Sequence, residues 1–314
     1  MSSNISRSKL QRQIMILKEE KNAVILSHFY QNSQIQEIAD FVGDSLELSR
    51  KAMETDASII VFAGVHFMGE TAKILNPGKK VLIPDLSAGC SLSDSCTPEA
   101  FQNERELFPD HIFVTYINCS AEVKAMSDII CTSANAEKII ESIPRDKKIY
   151  FSPDKNLGKY LMAKSGREMR LWEGACIVHE AFSIEKTVEL MKEYPAAKII
   201  VHPESEMPLL ILADFVGSTS ALLRYVQEDE SNEYLIGTEA GIIHQMSMKV
   251  PQKTLIPIPI YEDNACSCSE CAFMKVNTLQ KLYDCLLDES PEIVISPSIQ
   301  EEALQPLKRM LEIS

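Results

Sequence analysis

The chain has 314 residues, of which 45% are hydrophobic and 24% are charged, as is typical of globular proteins. Its formal net charge of −14 argues against nucleic acid and anionic membranes as partners, since both require a basic face. The polar N-terminus lacks the features of a signal peptide, and no apolar run could span a bilayer. These features predict a cytoplasmic protein whose nine cysteines are kept reduced.

The first predicted elements are an amphipathic helix over residues 5–21 and a short apolar strand over residues 24–26. His28 and Tyr30 follow this strand directly. Ser45, which lies 17 residues after His28, is predicted to stand at or near the start of a helix. A strand, polar side chains at its end and then a helix are typical of one unit of a parallel α/β sheet.

The same pattern occurs twice more along the chain. Strands are predicted over residues 112–114 and 199–201, and polar or aromatic side chains follow each of them. In both copies a hydroxyl residue again lies 17 residues after the first of these side chains. The equivalent residues are Tyr116, Asn118 and Ser133 in the second copy and His202, Glu204 and Thr219 in the third. An interval that recurs three times indicates an internal repeat.

The repeat predicts an α/β fold of three homologous, three-layer αβα domains in a pseudo-three-fold arrangement, each with a small parallel sheet. The expected domains are residues 1–88, 89–174 and 175–271, and helices over residues 272–314 are expected to join the first domain. Ligands of such sheets bind at the carboxyl ends of the strands. The side chains that follow the strands are therefore expected to face an active site at the centre.

Each copy of the repeat ends with cysteine in an equivalent loop: Cys90, then Cys176, then the group Cys266, Cys268 and Cys271. One thiol from each of these three loops would meet at the centre. A structural zinc site takes four ligands, and a catalytic zinc takes three plus water and usually includes histidine. A 4Fe-4S cluster normally takes four thiolates, and with only three of them one iron stays open to act as a Lewis acid.

The remaining cysteines have simpler interpretations. Cys119, Cys131 and Cys285 lie in apolar or helical contexts that are typical of small buried hydrophobic side chains. Cys96, six residues after Cys90, stays an alternative ligand.

Several motifs then identify a family. Among them are "SHFYQ" (27–31), "AGCSLSDSC" (88–96), "WEGACIVH" (172–179), "GTEAGIIH" (237–244) and the cysteine-led "CAFMKVNTL" (271–279). From about residue 14 to residue 288 the chain resembles quinolinate synthase. The resemblance implies a 4Fe-4S cluster held by three thiolates and favours Cys271 as the third ligand, beside Cys90 and Cys176.

The resemblance also implies a reaction. The family condenses iminoaspartate with dihydroxyacetone phosphate to quinolinate, with loss of phosphate and two waters, as a step of NAD biosynthesis. The chain would then be a transferase that receives iminoaspartate from an aspartate oxidase or dehydrogenase.

These substrates suggest roles for the residues of the repeat. Tyr30, Tyr116 and Glu204 are the predicted general acids and bases, and a nearby anionic substrate is expected to raise the pKa of Glu204. His179 is expected to support the loop of Cys176 or to hydrogen-bond near the cluster. Glu239 is expected either to line the site or to cap a helix. The predicted substrate-binding residues are His28, Ser45, Asn118, Ser133, His202 and Thr219.

Two other functions fit part of the pattern. A different 4Fe-4S hydro-lyase could use the same open iron on a small hydroxy acid. A cluster carrier or sensor without enzymatic activity would need the thiols, but not the histidine, tyrosine and glutamate side chains at matched strand ends.

Overall fold

The computed structural model describes residues 7–261 and 269–314 and confirms the predicted fold class. Three separate four-stranded sheets follow one another along the chain, and every strand pairing within them is parallel. In each sheet the first two strands exchange places, so that the spatial order is second, first, third, fourth. Identical order in three sheets is the structural counterpart of the repeat in the sequence.

The strands belong to three units. The first unit contains β1 (Ala23–His28), β2 (Phe41–Gly43), β3 (Ile59–Ala63) and β4 (Lys80–Leu82). The second unit contains β5 (His111–Tyr116), β6 (Ile129–Cys131), β7 (Lys148–Ser152) and β8 (Arg170–Leu171). The third unit contains β9 (Lys198–Val201), β10 (Phe215–Val216), β11 (Glu233–Gly237) and β12 (Thr254–Pro257).

Helices cover the sheets. Around the first sheet lie α1 (Arg7–Glu20), α2 (Ser33–Gln36), α3 (Ser45–Glu54) and α4 (His66–Leu75). The second unit has α5 (Ser91–Ser95), α6 (Pro98–Leu107), α7 (Ala121–Met126), α8 (Ala136–Ser142) and α9 (Lys155–Ser165). The third has α10 (Ile184–Glu193), α11 (Met207–Leu212), α12 (Thr219–Glu228) and α13 (Ile242–Lys249). At the C-terminus are α14 (Ala272–Lys275), α15 (Leu279–Asp288) and α16 (Pro297–Ile313).

The central strands are continuous apolar runs because helices cover both of their faces. Every residue of β3 is buried, as is every residue of β1 and β11 except the first. Their side chains form the cores of the three units.

Polar caps begin the two helices that follow the second strands of the first and third sheets. Asp44 accepts hydrogen bonds from the backbone of Leu46 and Glu47, and the Glu47 side chain accepts one from the Asp44 backbone, which completes a capping box. Ser218 caps α12 in the same way through its hydroxyl. The caps make Ser45 and Thr219 the first residues of ten-residue helices.

The C-terminal helices divide between two units. α15 packs beside α1, and Leu282 shares a buried cluster with Ile14 and Ile25 of the first unit. α16 contacts α7 and β6 of the second unit as well as α4 of the first. The predicted domain limits, including the assignment of residues 272–314 to the first domain, therefore stay a prediction. Over the described ranges, no helix is both long and apolar enough to cross a membrane.

Candidate active site

The carboxyl ends of the strands from all three units meet at one central cavity. All twelve residues predicted for the site line it: His28, Tyr30, Ser45, Cys90, Tyr116, Asn118, Ser133, Cys176, His202, Glu204, Thr219 and Cys271. Among the described residues that line the cavity there is neither lysine nor arginine. Anionic ligands would therefore have to be held here by neutral donors and helix N-termini.

Three thiols from three loops face this cavity. Cys90, Cys176 and Cys271 are free and half-buried, whereas the other free cysteines of the described ranges, Cys96, Cys119, Cys131 and Cys285, are buried in hydrophobic cores. Cys266 and Cys268, to which the sequence analysis assigns no role, lie outside the described residues. Only Cys271 of the third loop can therefore be placed at the cavity.

The three thiols share a local environment. Burial raises the pKa of Cys90 to about 12 and also raises the pKa values of Cys176 and Cys271. In each case the backbone N–H groups of the residues two and three positions later oppose this rise, because they favour the thiolate. Cys271 adds to the raised pKa of Cys90, and Cys90 adds to that of Cys176, so the thiols lie within electrostatic reach of one another.

A thiolate-bound cofactor fits this arrangement. Three half-buried thiols with raised pKa values repel one another when ionised, and a cation that binds all three removes that repulsion while it displaces their protons. The paired backbone N–H groups are ready to stabilise the resulting sulfur charge. The donor set thus suits a metal cofactor with a free coordination position, as the sequence predicts.

A chain of hydrogen bonds runs across the cavity between the two predicted tyrosines. The Tyr116 hydroxyl donates to Oε1 of Glu204, and Oε2 of Glu204 lies 2.9 Å from Nδ1 of His179. Nε2 of His179 lies 3.0 Å from the Thr238 hydroxyl, which lies 2.7 Å from the Tyr30 hydroxyl. We call these five residues, Tyr116, Glu204, His179, Thr238 and Tyr30, the proton relay. It joins residues from all three units.

Thr219 and Cys176 lie next to the relay. The Tyr30 hydroxyl is 3.0 Å from Oγ1 of Thr219, the first residue of α12. Nδ1 of His179 is 3.2 Å from Sγ of Cys176. The relay thus connects the neighbourhood of a cavity thiol with a helix N-terminus that can hold an anion.

The ionisation of the relay is set by burial and by neighbouring side chains. The rise in the pKa of Glu204 that is expected beside an anionic substrate stays a prediction, and burial alone acts in that direction. The imidazoles of His179 and His202 and the hydrogen bond from Tyr116 outweigh burial, so the pKa lies below its ordinary value. Burial and the Glu204 charge raise the pKa of Tyr30 and of Tyr116. In the substrate-free site, Glu204 is therefore a carboxylate and both tyrosines are neutral phenols.

His28 and His202 occupy matching positions and share one geometry. Nδ1 of His28 accepts a hydrogen bond from the Tyr30 backbone (3.2 Å), and Nδ1 of His202 accepts one from the Glu204 backbone (3.4 Å). The acceptor role of Nδ1 puts the ring proton on Nε2. Nε2 of His202 lies 3.2 Å from the Ser133 hydroxyl. Both imidazoles can thus act as neutral donors to a ligand.

Burial of these histidines predicts an acid-sensitive fold. Desolvation lowers the pKa of His28 and of His202 from 6.5 to about 3. Between these values the unfolded chain binds more protons, so the free energy of unfolding should fall as the pH drops below 6.5. The variant His202→Gln removes one such group and should flatten this dependence. Urea denaturation of both cluster-free proteins at several pH values measures the slopes, and equal slopes would contradict the prediction.

Asn118 presents an open acceptor to the cavity. Its Oδ1 is buried and has no hydrogen-bond partner in the described structure. A buried acceptor without a partner costs free energy, which a ligand donor at this position would recover. The geometry suits the predicted contact with a polar end of a substrate.

Sequence reasoning missed an ion pair behind the cavity. Glu239, which is buried, accepts hydrogen bonds from the backbone of Gly241 (2.7 Å) and Cys271 (3.0 Å) and lies 3.0 Å from Nζ of Lys275. Lys275 also donates to the backbone oxygen of Tyr30 (2.8 Å). The pair therefore connects the loop of a candidate thiol ligand with the loop of a relay tyrosine. Glu239 lines the cavity, as one of its two expected roles requires, and its bond from Gly241 reaches the residue that precedes α13.

Comparison with known proteins identifies the relatives of the chain. Residues 12–312 match the family model described as "Quinolinate synthetase A protein". The quinolinate synthase of Microcystis aeruginosa is 57% identical over 298 residues, which cover 95% of this chain and 93% of that protein. Those of a Synechococcus and a Synechocystis strain are each 56% identical over 301 residues, covering 96% of this chain and 94% of each relative. The chain therefore belongs to the quinolinate synthase family of enzymes.

Proposed function

We propose that this enzyme condenses iminoaspartate with dihydroxyacetone phosphate to give quinolinate, phosphate and two waters. The reaction forms one carbon–carbon and one carbon–nitrogen bond, and on that basis the enzyme is placed among the transferases. The observation that carries the proposal is the proton relay between Tyr116 and Tyr30, which lies beside three free thiols in one cavity. An aspartate oxidase or dehydrogenase would supply iminoaspartate, and the reducing cytoplasm would suit the thiols.

Neutral groups would hold the anionic substrates. Ser45 and Thr219 each begin a ten-residue helix, where their hydroxyls and the helix dipole favour a carboxylate or phosphate. The Ser133 hydroxyl and Nε2 of His202 offer further donors on another wall of the cavity. An anion at Thr219 would lie next to the Tyr30 hydroxyl.

Glu204 would act as the general base. It is ionised in the free site, is buried and accepts hydrogen bonds from Tyr116 and His179. Ketose–aldose isomerisation moves a proton between neighbouring carbons, so the base must take the proton and return it. The Tyr116 phenol can stabilise the oxygen charge that develops beside Glu204 during this transfer.

Tyr30 would act as the general acid. Its raised pKa keeps the phenol protonated, so it can donate a proton to a departing hydroxyl group in a dehydration step. In the His179 tautomer that carries its proton on Nε2, protonated Glu204 can pass a proton to Nδ1 while Nε2 passes one through Thr238 to the Tyr30 phenolate. A proton that Glu204 removes from one carbon of the substrate could in this way protonate a hydroxyl group that leaves from another carbon.

Cys90, Cys176 and Cys271 would hold the 4Fe-4S cluster. The supporting observations are their common cavity and the pairs of backbone N–H groups that favour each thiolate. When bound, the cluster supplies Lewis acidity at the iron that lacks a protein thiolate.

The function is tested by an anaerobic assay of the cluster-loaded enzyme with both substrates. Quinolinate and phosphate should form in equal amounts, with iron and sulfide analysis confirming the cluster. Absence of quinolinate from fully loaded enzyme would refute the proposal. The alternative hydro-lyase would instead dehydrate a small hydroxy acid without consuming a triose phosphate, and family membership does not favour it.

A further inference from the structure

We infer that the cluster-free protein binds one zinc ion through Cys176, His179 and Glu204. These three residues lie at the wall of the central cavity, and each offers one ligand atom. The three ligand atoms all lie within 4.8 Å of one another. Such a mononuclear site is distinct from the three-thiol set, with which it shares only Cys176.

The distances fit a tetrahedral ion after a small adjustment. Nδ1 of His179 lies 3.2 Å from Sγ of Cys176 and 2.9 Å from Oε2 of Glu204. Zinc bonds to sulfur, nitrogen and oxygen at tetrahedral angles separate such ligand atoms by about 3.3–3.6 Å. The two distances from Nδ1 would lengthen by a few tenths of an ångström, and the third pair, Sγ of Cys176 and the Glu204 oxygen, already lies within 4.8 Å. In the metal-free site the Nδ1 proton occupies the space between these atoms, and zinc would replace it.

Thr238 holds the histidine as a metal site requires. Its hydroxyl lies 3.0 Å from Nε2 of His179, on the side of the ring opposite to Cys176 and Glu204. A hydrogen bond to the second ring nitrogen fixes the tautomer and direction of a metal-binding imidazole. With zinc on Nδ1, Nε2 would carry the ring proton and donate it to Thr238. The protons of Nδ1 and the Cys176 thiol are accounted for by this tautomer shift and by release of one proton to solvent.

The donor set and the available space favour zinc. One sulfur, one nitrogen and one carboxylate oxygen form the three-ligand set of an open zinc site, whereas magnesium and calcium prefer oxygen alone. His179 and Glu204 are almost fully buried, which fixes their positions. The cavity has a volume of about 70 Å³, several times the roughly 10–15 Å³ that one water needs. The cavity that the three ligands line therefore has room for an ion and for the water that completes its coordination.

Zinc and the cluster would exclude each other. This consequence rests on the proposed function, because it requires Cys176 to be a cluster ligand. Zinc would also bind Glu204 and His179, and these two residues could then no longer transfer protons within the proton relay. The zinc site itself depends only on the three side chains and can be tested without the cluster or any activity.

Metal titration of the full-length, cluster-free protein under anaerobic conditions tests the site. Zinc sulfate should bind at one ion per chain, and cobalt chloride at the same site should give thiolate charge-transfer and tetrahedral absorption bands. His179→Gln and Glu204→Gln should each lower the affinity for zinc by at least about a hundredfold, since each removes a direct ligand. Thr238→Val should lower the affinity by about 10–100-fold, as expected when the hydrogen-bond partner of a metal ligand is lost. Unchanged zinc affinity in both ligand variants would overturn the inference.

A matched thiol variant separates this site from a three-thiol site. Cys271→Ser should bind zinc as tightly as the unmodified protein, because Cys271 is not a ligand, whereas Cys176→Ser should lose zinc and the charge-transfer band. If Cys271→Ser lost zinc while His179→Gln kept it, zinc would be bound by the three thiols and the inference would be wrong. Circular dichroism of each variant checks folding, and the His179→Gln and Cys271→Ser pair decides the question even if Cys176→Ser does not fold.

Competition is measured separately. One equivalent of zinc should slow cluster reconstitution, and a chelator should restore its rate. Normal cluster assembly with zinc still bound would overturn mutual exclusion but leave the metal site intact. Absence of activity in a fully loaded enzyme would refute the proposed function, and it would not affect the zinc titration.

Discussion

Glu204→Gln should reduce turnover by about a thousandfold or more, within the range attributed to general acid–base groups, while the cluster is retained. The carboxylate is the acceptor at the centre of the relay, bound to Tyr116 on one side and His179 on the other. Glutamine has nearly the same shape, but it cannot take up a proton. The rate of quinolinate formation, measured with iron and sulfide content on the same sample, checks the prediction.

Two further variants show whether the loss belongs to Glu204. Glu206→Gln, two residues later, is a matched control outside the cavity lining and should keep normal turnover. Thr238→Val interrupts the relay between His179 and Tyr30 but keeps both the carboxylate and the phenol. We expect it to reduce turnover less than Glu204→Gln does. Near-normal turnover in Glu204→Gln with a full cluster would exclude the residue as the base.

The internal repeat explains why much of the site could be predicted from the sequence. A parallel sheet brings the residues after its strands to one edge, so the residue that follows a strand is placed by topology alone. His28 and His202 therefore face the same cavity, with matching backbone contacts, although they lie far apart in the chain. The loops that contain Cys90, Cys176 and Cys271 follow the fourth strand of each sheet, and their thiols reach the same cavity.

The relay could not be predicted in this way because it depends on side-chain geometry between units. His179 is expected to support the loop of Cys176 or to hydrogen-bond near the cluster, and its Nδ1 does lie 3.2 Å from Sγ of Cys176. The sequence pattern does not show that the same ring also joins Glu204 to Thr238. The low pKa of Glu204 without substrate has the same origin, because it depends on His179 and His202, whose contacts with Glu204 the repeat does not show.

Two contacts of the C-terminal helices could not be predicted from the sequence pattern either. Lys275 belongs to a motif quoted for the family, but its bond to the backbone oxygen of Tyr30 arises only when α14 packs on the first unit. The packing of α16 against both α7 and α4 could not be predicted either. Amphipathic spacing shows that a helix buries one face, and it does not show which sheet receives that face.

Cys271→Ser should abolish cluster binding and with it all quinolinate formation. The third loop contains three cysteines, and Cys271 is the one that lines the cavity within the described residues. Glu239 accepts a hydrogen bond from the Cys271 backbone. A serine hydroxyl is a much poorer ligand for iron than a thiolate, so two thiolates would remain for a cluster that needs at least three. Iron and sulfide content after anaerobic reconstitution, together with visible absorption, measures the loss.

Cys266→Ser and Cys268→Ser are the matched controls, since they change the same loop and should keep both the cluster and turnover. Cys90→Ser and Cys176→Ser should behave like Cys271→Ser, because each removes one of the three cavity thiols within the described ranges. The half-buried position of Cys271 means that the substitution should leave the fold of the cluster-free protein unchanged by circular dichroism. A full cluster in Cys271→Ser and its loss in Cys268→Ser would transfer the ligand role to Cys268.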